Sequence, residues 1–233
     1  MSGECLSPLE FAKKQRSHVL FVMSDATADQ EADFLRWYRL SCRDAVSAIQ
    51  NVISARHYQQ HELDVTLGLH ARLPYRYLGI YEISVDGAPA AASIIEQIER
   101  LYRAQPAARA PATWLYYPVS EKVGRPPEAM PSMLTLAFAN AIPGQEAEFR
   151  EWYATRHTRH ALNVPALVSG QCFERTLFQS AGALEARFAM IAVYEQEGSA
   201  ESMIASFNSL PASTFHFPAM DLSRFAESVY RPV

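Results

Sequence analysis

One short stretch, Tyr153 to His160, gathers a phenol, two imidazoles and two guanidinium groups at helical spacing. Tyr153 and His157 are four residues apart, and His157 and His160 three, so all share a helix face with Phe149 and Trp152. A histidine near its ordinary pKa beside a phenol can move a proton to or from an enolisable carbon or a hydroxyl, which is general acid–base chemistry. The same imidazoles also suit a helix C-terminus, where donors and positive charge meet the dipole, and Arg156 and Arg159 are read that way. Arg175, on the strand expected next, is a candidate binder of a carboxylate or enolate, with an exposed strand edge as the competing reading. Tyr81 and Tyr194 occupy matching strand positions and are expected to line a barrel cavity.

Other chemistries find less support. His157 and His160 have the spacing of two metal ligands on a helix, but no third ligand is evident near them, so no metal site is expected. Cys42 lies near Arg39 and Arg43, which would favour a thiolate, yet it falls on the apolar stripe of its helix and reads as a buried thiol. The 9 glycines are scattered and form no phosphate-binding loop.

The elements that must position these residues occur twice. Gln30-Glu31-Ala32-Asp33-Phe34 matches Gln145-Glu146-Ala147-Glu148-Phe149, and Trp37-Tyr38 matches Trp152-Tyr153, at one constant offset. The match runs without a gap from Val19–Tyr58 to Leu134–Phe173. It resumes at Tyr81-Glu82 against Tyr194-Glu195 and closes with Tyr116-Tyr117-Pro118-Val119 against Tyr230-Arg231-Pro232-Val233. Each copy reads as strand, helix, two strands, helix, strand. Capping-box spacing at Thr27 and Gln30, and Pro143, mark the expected starts of the first helices. The order βαββαβ is the ferredoxin-like unit, whose sheet leaves one apolar face bare. A second copy can cover that face. The expected architecture is therefore α+β: a first repeat over residues 17–119, a linker over 120–131 rich in proline and charge, and a second repeat over 132–233 carrying the site, joined as an intrachain barrel.

About half the residues are apolar (49%) and 20% are charged, enough for a substantial core. The net charge of −4 without a basic stripe argues against nucleic acid as a partner. Three scattered cysteines suggest reduced thiols, and no apolar run approaches the length of a membrane helix. A cytoplasmic protein is the expectation. Bare sheet edges would allow two such barrels to pair as a homodimer.

The run Glu148-Phe149-Arg150-Glu151-Trp152-Tyr153-Ala154-Thr155-Arg156-His157, followed by Leu162 to Ser169 with its Val164-Pro165-Ala166 turn, resembles the EthD-like branch of the dimeric α+β barrel superfamily. That pattern is an aromatic pair, three residues, a histidine and later a Val-Pro-Gly turn. Ala166 replaces the glycine here, and Ala154 and Arg156 stand where acidic or amide residues are usual. In the first copy the histidine position is Cys42 and that of His160 is Ala45, so the imidazoles are expected only in the second copy.

The resemblance implies a cofactor-independent lyase, isomerase, dehydratase or cyclase for a small apolar, aromatic or polyketide-like compound. His157 would be the acid or base and Tyr153 its proton partner or orienter, with Arg175, His160, Tyr194 and Tyr81 around the substrate. Two alternatives stay open: a haem enzyme of the same barrel type, in which a histidine holds the iron, and a non-catalytic protein that binds a small molecule.

Overall fold

The computed structural model describes residues 17–65, 68, 70–125, 127–128, 133–179, 188–211 and 216–233. Cys5 and part of the expected linker lie outside them. The first half comprises β1 (His18–Ser24), α1 (Glu31–Trp37) continuing through a π-helical turn (Tyr38–Cys42) into α2 (Arg43–Ser47), β2 (Val52–Gln60), β3 (Tyr77–Ile83), α3 (Ala88–Arg103) and β4 (Ala112–Pro118). After the short β5 (Val123–Gly124) the order repeats. It runs β6 (Met133–Ala139), α4 (Glu146–Trp152) with a π-helical turn (Tyr153–His157) and α5 (Thr158–Ala161), β7 (Leu167–Arg175), β8 (Met190–Gln196), α6 (Ala200–Asn208) and β9 (Ala226–Pro232).

The strands hydrogen-bond in the order β4-β1-β3-β2-β9-β6-β8-β7, and β4 also pairs with β7, closing an eight-stranded antiparallel barrel. Its two seams are one pairing made twice. Tyr116 faces Arg175 and Pro118 faces Phe173 across the first, while Tyr230 faces Gln60 and Pro232 faces Tyr58 across the second. Strand directions require the pseudo-twofold axis to run along the barrel, so equivalent residues of the two halves meet at the same mouth. Each seam pairs three residues of either strand, so closure covers part of the edges that were expected to favour homodimer pairing.

Strands β1 and β6 are apolar at nearly every position because both of their faces are buried. Val19, Phe21 and Met23 point into the barrel with Leu134, Leu136 and Phe138. The alternate residues Leu20 and Val22 pack beneath the first-half helices with Phe34, Tyr38 and Ile94. Ala137 and Ala139 do the same in the second half with Phe149, Tyr153 and Met203. The molecule therefore has a shared core inside the barrel and one helix-to-sheet core outside it in each half.

Local irregularities are duplicated too. A bulge falls between Val52 and Ser54 in β2 and between Leu167 and Ser169 in β7, and the π-helical turns coincide. Such turns break helical regularity at a cost that packing or function must offset. Both first helices start later than Thr27 and Pro143 suggest, at Glu31 and Glu146; Thr27 donates to the Gln30 side chain at 3.0 Å instead of forming a capping box. Among the described residues no helix is long and apolar enough to cross a membrane.

Candidate functional site

His157 ends the π-helical turn of the second half and is 4% exposed. Its ring stacks on Tyr153, with centroids 4.5 Å apart and planes 21° apart, and lies 4.7 Å from the Trp152 ring. Tyr194 of β8 meets it edge-on at 6.1 Å. Among the described residues neither ring nitrogen of His157 has a protein hydrogen-bond partner, and the buried hydroxyl of Tyr194 has none either. Burial, with a smaller contribution from the charge of nearby His160, pushes the His157 pKa down to about 3. The imidazole is therefore neutral at physiological pH, with one donor and one acceptor both unused.

A carboxyl group faces the same layer. Glu227 of β9 lies opposite Ala137 of β6, and Val229, two residues on, packs in the second-half core, whereas Ala226 and Tyr230 point into the barrel. Alternation thus turns Glu227 toward the helices. Burial and the charge of Asp64 raise its pKa to about 8, so it is largely protonated at neutral pH, and its charge in turn bears on Tyr153 and Tyr194. Part of the residue's surface still reaches solvent, but loss of hydration at the carboxyl sets the direction. The first half helps to close this region. The Glu227 amide donates to Ala71 at 2.9 Å, and Leu63 and Val65 pack against the second-half core.

The first half also holds an imidazole in the corresponding layer, although its helix positions Cys42 and Ala45 carry none. His57 comes from strand β2, not from the helix, and its ring stacks on Tyr38 at 4.0 Å with planes 7° apart. Tyr38 is the repeat equivalent of Tyr153. His57 Nδ1 donates to the Tyr38 carbonyl at 2.8 Å, which leaves Nε2 to accept from the Tyr81 hydroxyl at 2.9 Å. Tyr81 in turn meets the Tyr102 hydroxyl at 3.2 Å. Every polar atom of that ring is satisfied.

The two halves exchange residue types between two positions. The helix position is Cys42 in one half and His157 in the other; the strand position is His57 in one and Cys172 in the other. Both thiols are buried, and burial pushes each up to about 12, which removes Cys42 from consideration as a thiolate nucleophile. Cys172 lies 2.9 Å from the Thr158 hydroxyl.

The structure brings together His157, Tyr153 and Tyr194 but not the remaining candidates. Tyr153 is committed: its hydroxyl donates to the Ala137 carbonyl at 2.9 Å while its ring stacks on His157, and the Tyr194 hydroxyl has no partner among the described residues. Tyr81 serves His57 in the first half. Neither Tyr81 nor Tyr194 lines the barrel interior as expected; both point outward to the helices, and Ile80, Phe173 and Ile191 fill the interior instead. His160 is exposed at the helix end, and Arg175 is exposed at the end of β7, beside Tyr116 across the seam. Sequence reasoning missed Glu227 and His57. Glu227 is remote from His157 along the chain, while for His57 the signal was the exchange of histidine and cysteine between positions 42, 57, 157 and 172 of the aligned halves.

A scan against protein-family models finds no match, and a search of curated proteins finds none. Solved structures do match. A monooxygenase-like protein from Fusobacterium nucleatum is 10% identical over 93% of both chains, with a TM-score of 0.59. A chlorite dismutase variant from Candidatus Nitrospira defluvii is 12% identical over 97% of this chain and 96% of its own, with a TM-score of 0.56. An anthrone oxidase-like protein is 11% identical over 95% and 93%, with a TM-score of 0.55. At such identity the likeness establishes the fold: a dimeric-type α+β barrel built from two ferredoxin-like halves of one chain.

Haem, which the barrel fold brings into question, does not fit the residues around His157. An iron-ligating imidazole is ordinarily fixed by a hydrogen bond from its other nitrogen to a carboxylate, carbonyl or water. Among the described residues His157 has no such protein partner on either nitrogen, and the Tyr153 and Trp152 rings crowd it where a macrocycle would need room.

Proposed function

We propose that this protein is an enzyme that moves a proton on a small, mainly apolar organic compound, without a cofactor, in the helix-to-sheet layer of its second half. The reaction class is that of a lyase, isomerase, dehydratase or cyclase. The observation that carries this reading is the contrast between the two buried imidazoles: the one in the first half uses both nitrogens, whereas His157 uses neither. An unpaired buried polar group costs about 1–3 kcal/mol. A fold that satisfies the ring in one half and leaves it open in the other keeps His157 available for a ligand.

The residues divide the work. Tyr153 fixes the ring plane of His157 by stacking, and its hydroxyl is held by the Ala137 carbonyl. One His157 nitrogen takes a proton from an acidic C–H of the substrate. The protonated Glu227 carboxyl or the Tyr194 hydroxyl donates to the oxygen on which negative charge develops. Return of the proton from His157 to another carbon completes an isomerisation, and its delivery instead to a β-hydroxyl, which leaves as water as the C=C bond forms, completes a dehydration and restores the neutral imidazole. A neutral imidazole with a pKa near 3 is a weak base. Its basicity rises once an enolate lies beside it, because a nearby negative charge stabilises the imidazolium form. Apolar walls from Trp152, Met203 and Phe217 suit an aromatic or aliphatic body.

The test follows loss of α-hydrogens from a panel of enolisable aromatic ketones in deuterium oxide by proton NMR. Exchange catalysed by the native protein and slowed at least ~100-fold in His157→Gln supports the reading. Equal exchange in a folded His157→Gln protein removes the site assignment. Saturable binding at this layer without exchange makes the protein a non-catalytic binder.

A further inference from the structure

One mouth of the barrel holds a cavity of about 270 Å³ that plays no part in the His157 layer. Its floor is apolar: Val19, Phe21, Ile80, Leu134, Phe173 and Val193 come from both halves. Its rim is a built polar network on the pseudo-twofold axis. Ser54 donates to Glu82 at 2.8 Å, and the equivalent Ser169 donates to Glu195 at 2.5 Å. The symmetry is broken by cations. Arg56, whose counterpart is Gln171, lies 3.4 Å from Glu82 and 3.6 Å from Glu195 across the mouth, and Lys122 lies 2.6 Å from Glu195.

Glu195 is 6% exposed. Burial alone would raise its pKa, but hydrogen bonds from Lys122 and Ser169 and the charges of Lys122 and Arg56 outweigh burial and hold it below the ordinary value. The rim thus alternates Lys122, Glu195, Arg56, Glu82, and its formal charge sums to zero.

Arg56 Nε is buried in this wall without a hydrogen-bond partner among the described residues, although the Tyr58 hydroxyl lies close enough to the guanidinium for the two groups to interact. That buried N–H calls for an acceptor oxygen, and a rim with balanced charge disfavours a ligand of either net sign. At about 30 Å³ for each water, the cavity matches about nine waters, or an organic molecule of about that many non-hydrogen atoms.

We propose that the barrel mouth is a binding site for a small uncharged carbonyl compound, with its oxygen on Arg56 Nε and its apolar body on Phe21, Leu134 and Phe173. The site takes residues from both halves and from Lys122 of the connecting segment, so it exists only in the fused chain. The cations break the symmetry and thereby give the ligand one orientation.

Benzamide is a suitable probe, because it has about nine non-hydrogen atoms and no enolisable C–H, which separates this test from the one on His157. Methyl NMR of the full chain is expected to show saturable shifts at Ile80, Leu134 and Val193, with none at Met203. Benzoate and benzylammonium, of similar size but charged, are expected to bind at least ~tenfold more weakly. Arg56→Gln, which copies the residue at the equivalent second-half position, is expected to weaken benzamide binding ~tenfold, as for loss of one charge-assisted hydrogen bond. Should that variant fail to fold, toluene on the native protein replaces it, because toluene lacks the acceptor and is expected to bind ~tenfold more weakly than benzamide. Absence of saturable shifts, shifts centred on the His157 layer, or affinity indifferent to ligand charge and acceptor would each overturn the site.

Discussion

The two halves bury an imidazole at the same place against the same tyrosine, yet they supply it from different elements and to different ends. In the first half His57 rises from β2, stacks on Tyr38 and spends both nitrogens on Tyr38 and Tyr81. In the second half His157 descends from the helix, stacks on Tyr153 and leaves both nitrogens open beside an open Tyr194 hydroxyl. Packing alone cannot explain the difference, because the stacking partner is the same. The hydrogen bonds separate the two: one histidine completes a network, and the other, unsatisfied at 4% exposure, is the one we propose for a ligand.

The largest expected effect opposes the two histidines in activity and stability. His157→Ala is expected to lower proton exchange at least ~100-fold and to cost modest stability, because the lost packing is partly offset by removal of two unsatisfied nitrogens. His57→Ala is expected to leave exchange intact and to destabilise by about 3 kcal/mol or more, because it opens a cavity and takes from the Tyr81 hydroxyl one of its two partners. Denaturant melts alongside exchange rates would check both. If His57→Ala abolished exchange in a folded protein, the assignment of roles would be reversed.

A smaller effect separates the tyrosines, with opposite signs. Tyr81→Phe removes a hydroxyl that bridges His57 and Tyr102, and is expected to destabilise by about 1–2 kcal/mol. Tyr194→Phe removes a buried hydroxyl without a partner, and is expected to be neutral or stabilising while slowing exchange. Thermal melts of the two single variants, measured side by side, decide this. A Tyr194→Phe protein as destabilised as Tyr81→Phe would mean that the Tyr194 hydroxyl has a partner, and the second half would lose its open character.

The barrel was legible because two signals coincided: the Gln-Glu-Ala and Trp-Tyr matches at constant offset, and strands such as Leu134–Ala139 that are apolar on both faces. Tyr153 and His157 were also legible, since helical spacing alone puts them in contact. Facing directions were not. Tyr81 and Tyr194 alternate with Ile80 and Val193, and only a known register decides which set enters the barrel and which meets the helices. Glu227 was hidden because β9 comes beside Tyr153 only through its pairing with β6. The exchange of cysteine and histidine between the halves was visible in the alignment, but its meaning depends on a helix and a strand reaching one point in space.

The pH dependence of stability gives the smallest and sharpest comparison. His157 and His57 are pushed down to about 3 and about 4, mainly by burial, from an ordinary value of 6.5. Both rings therefore bind fewer protons folded than unfolded below that value. Their contribution is fully present above pH ~6.5 and is lost progressively as pH falls toward 4 and 3. Glu227 has the opposite sign. Its pKa is raised from 4.5 to about 8, so its contribution is fully present below pH ~4.5 and is lost as pH rises toward 8. Glu227→Gln is then expected to flatten the decline as pH rises from ~4.5 to 8, whereas His157→Gln flattens part of the decline as pH falls below ~6.5. Nitrogen-15 NMR of the rings distinguishes the histidines further. His57 is expected as the Nδ1–H tautomer alone, because the Tyr38 carbonyl can only accept. His157, with no protein partner to choose for it, is expected to populate both tautomers and to settle into one when a ligand binds its layer. A single fixed tautomer in the free protein would show that something already holds that ring, and the difference between the halves would close.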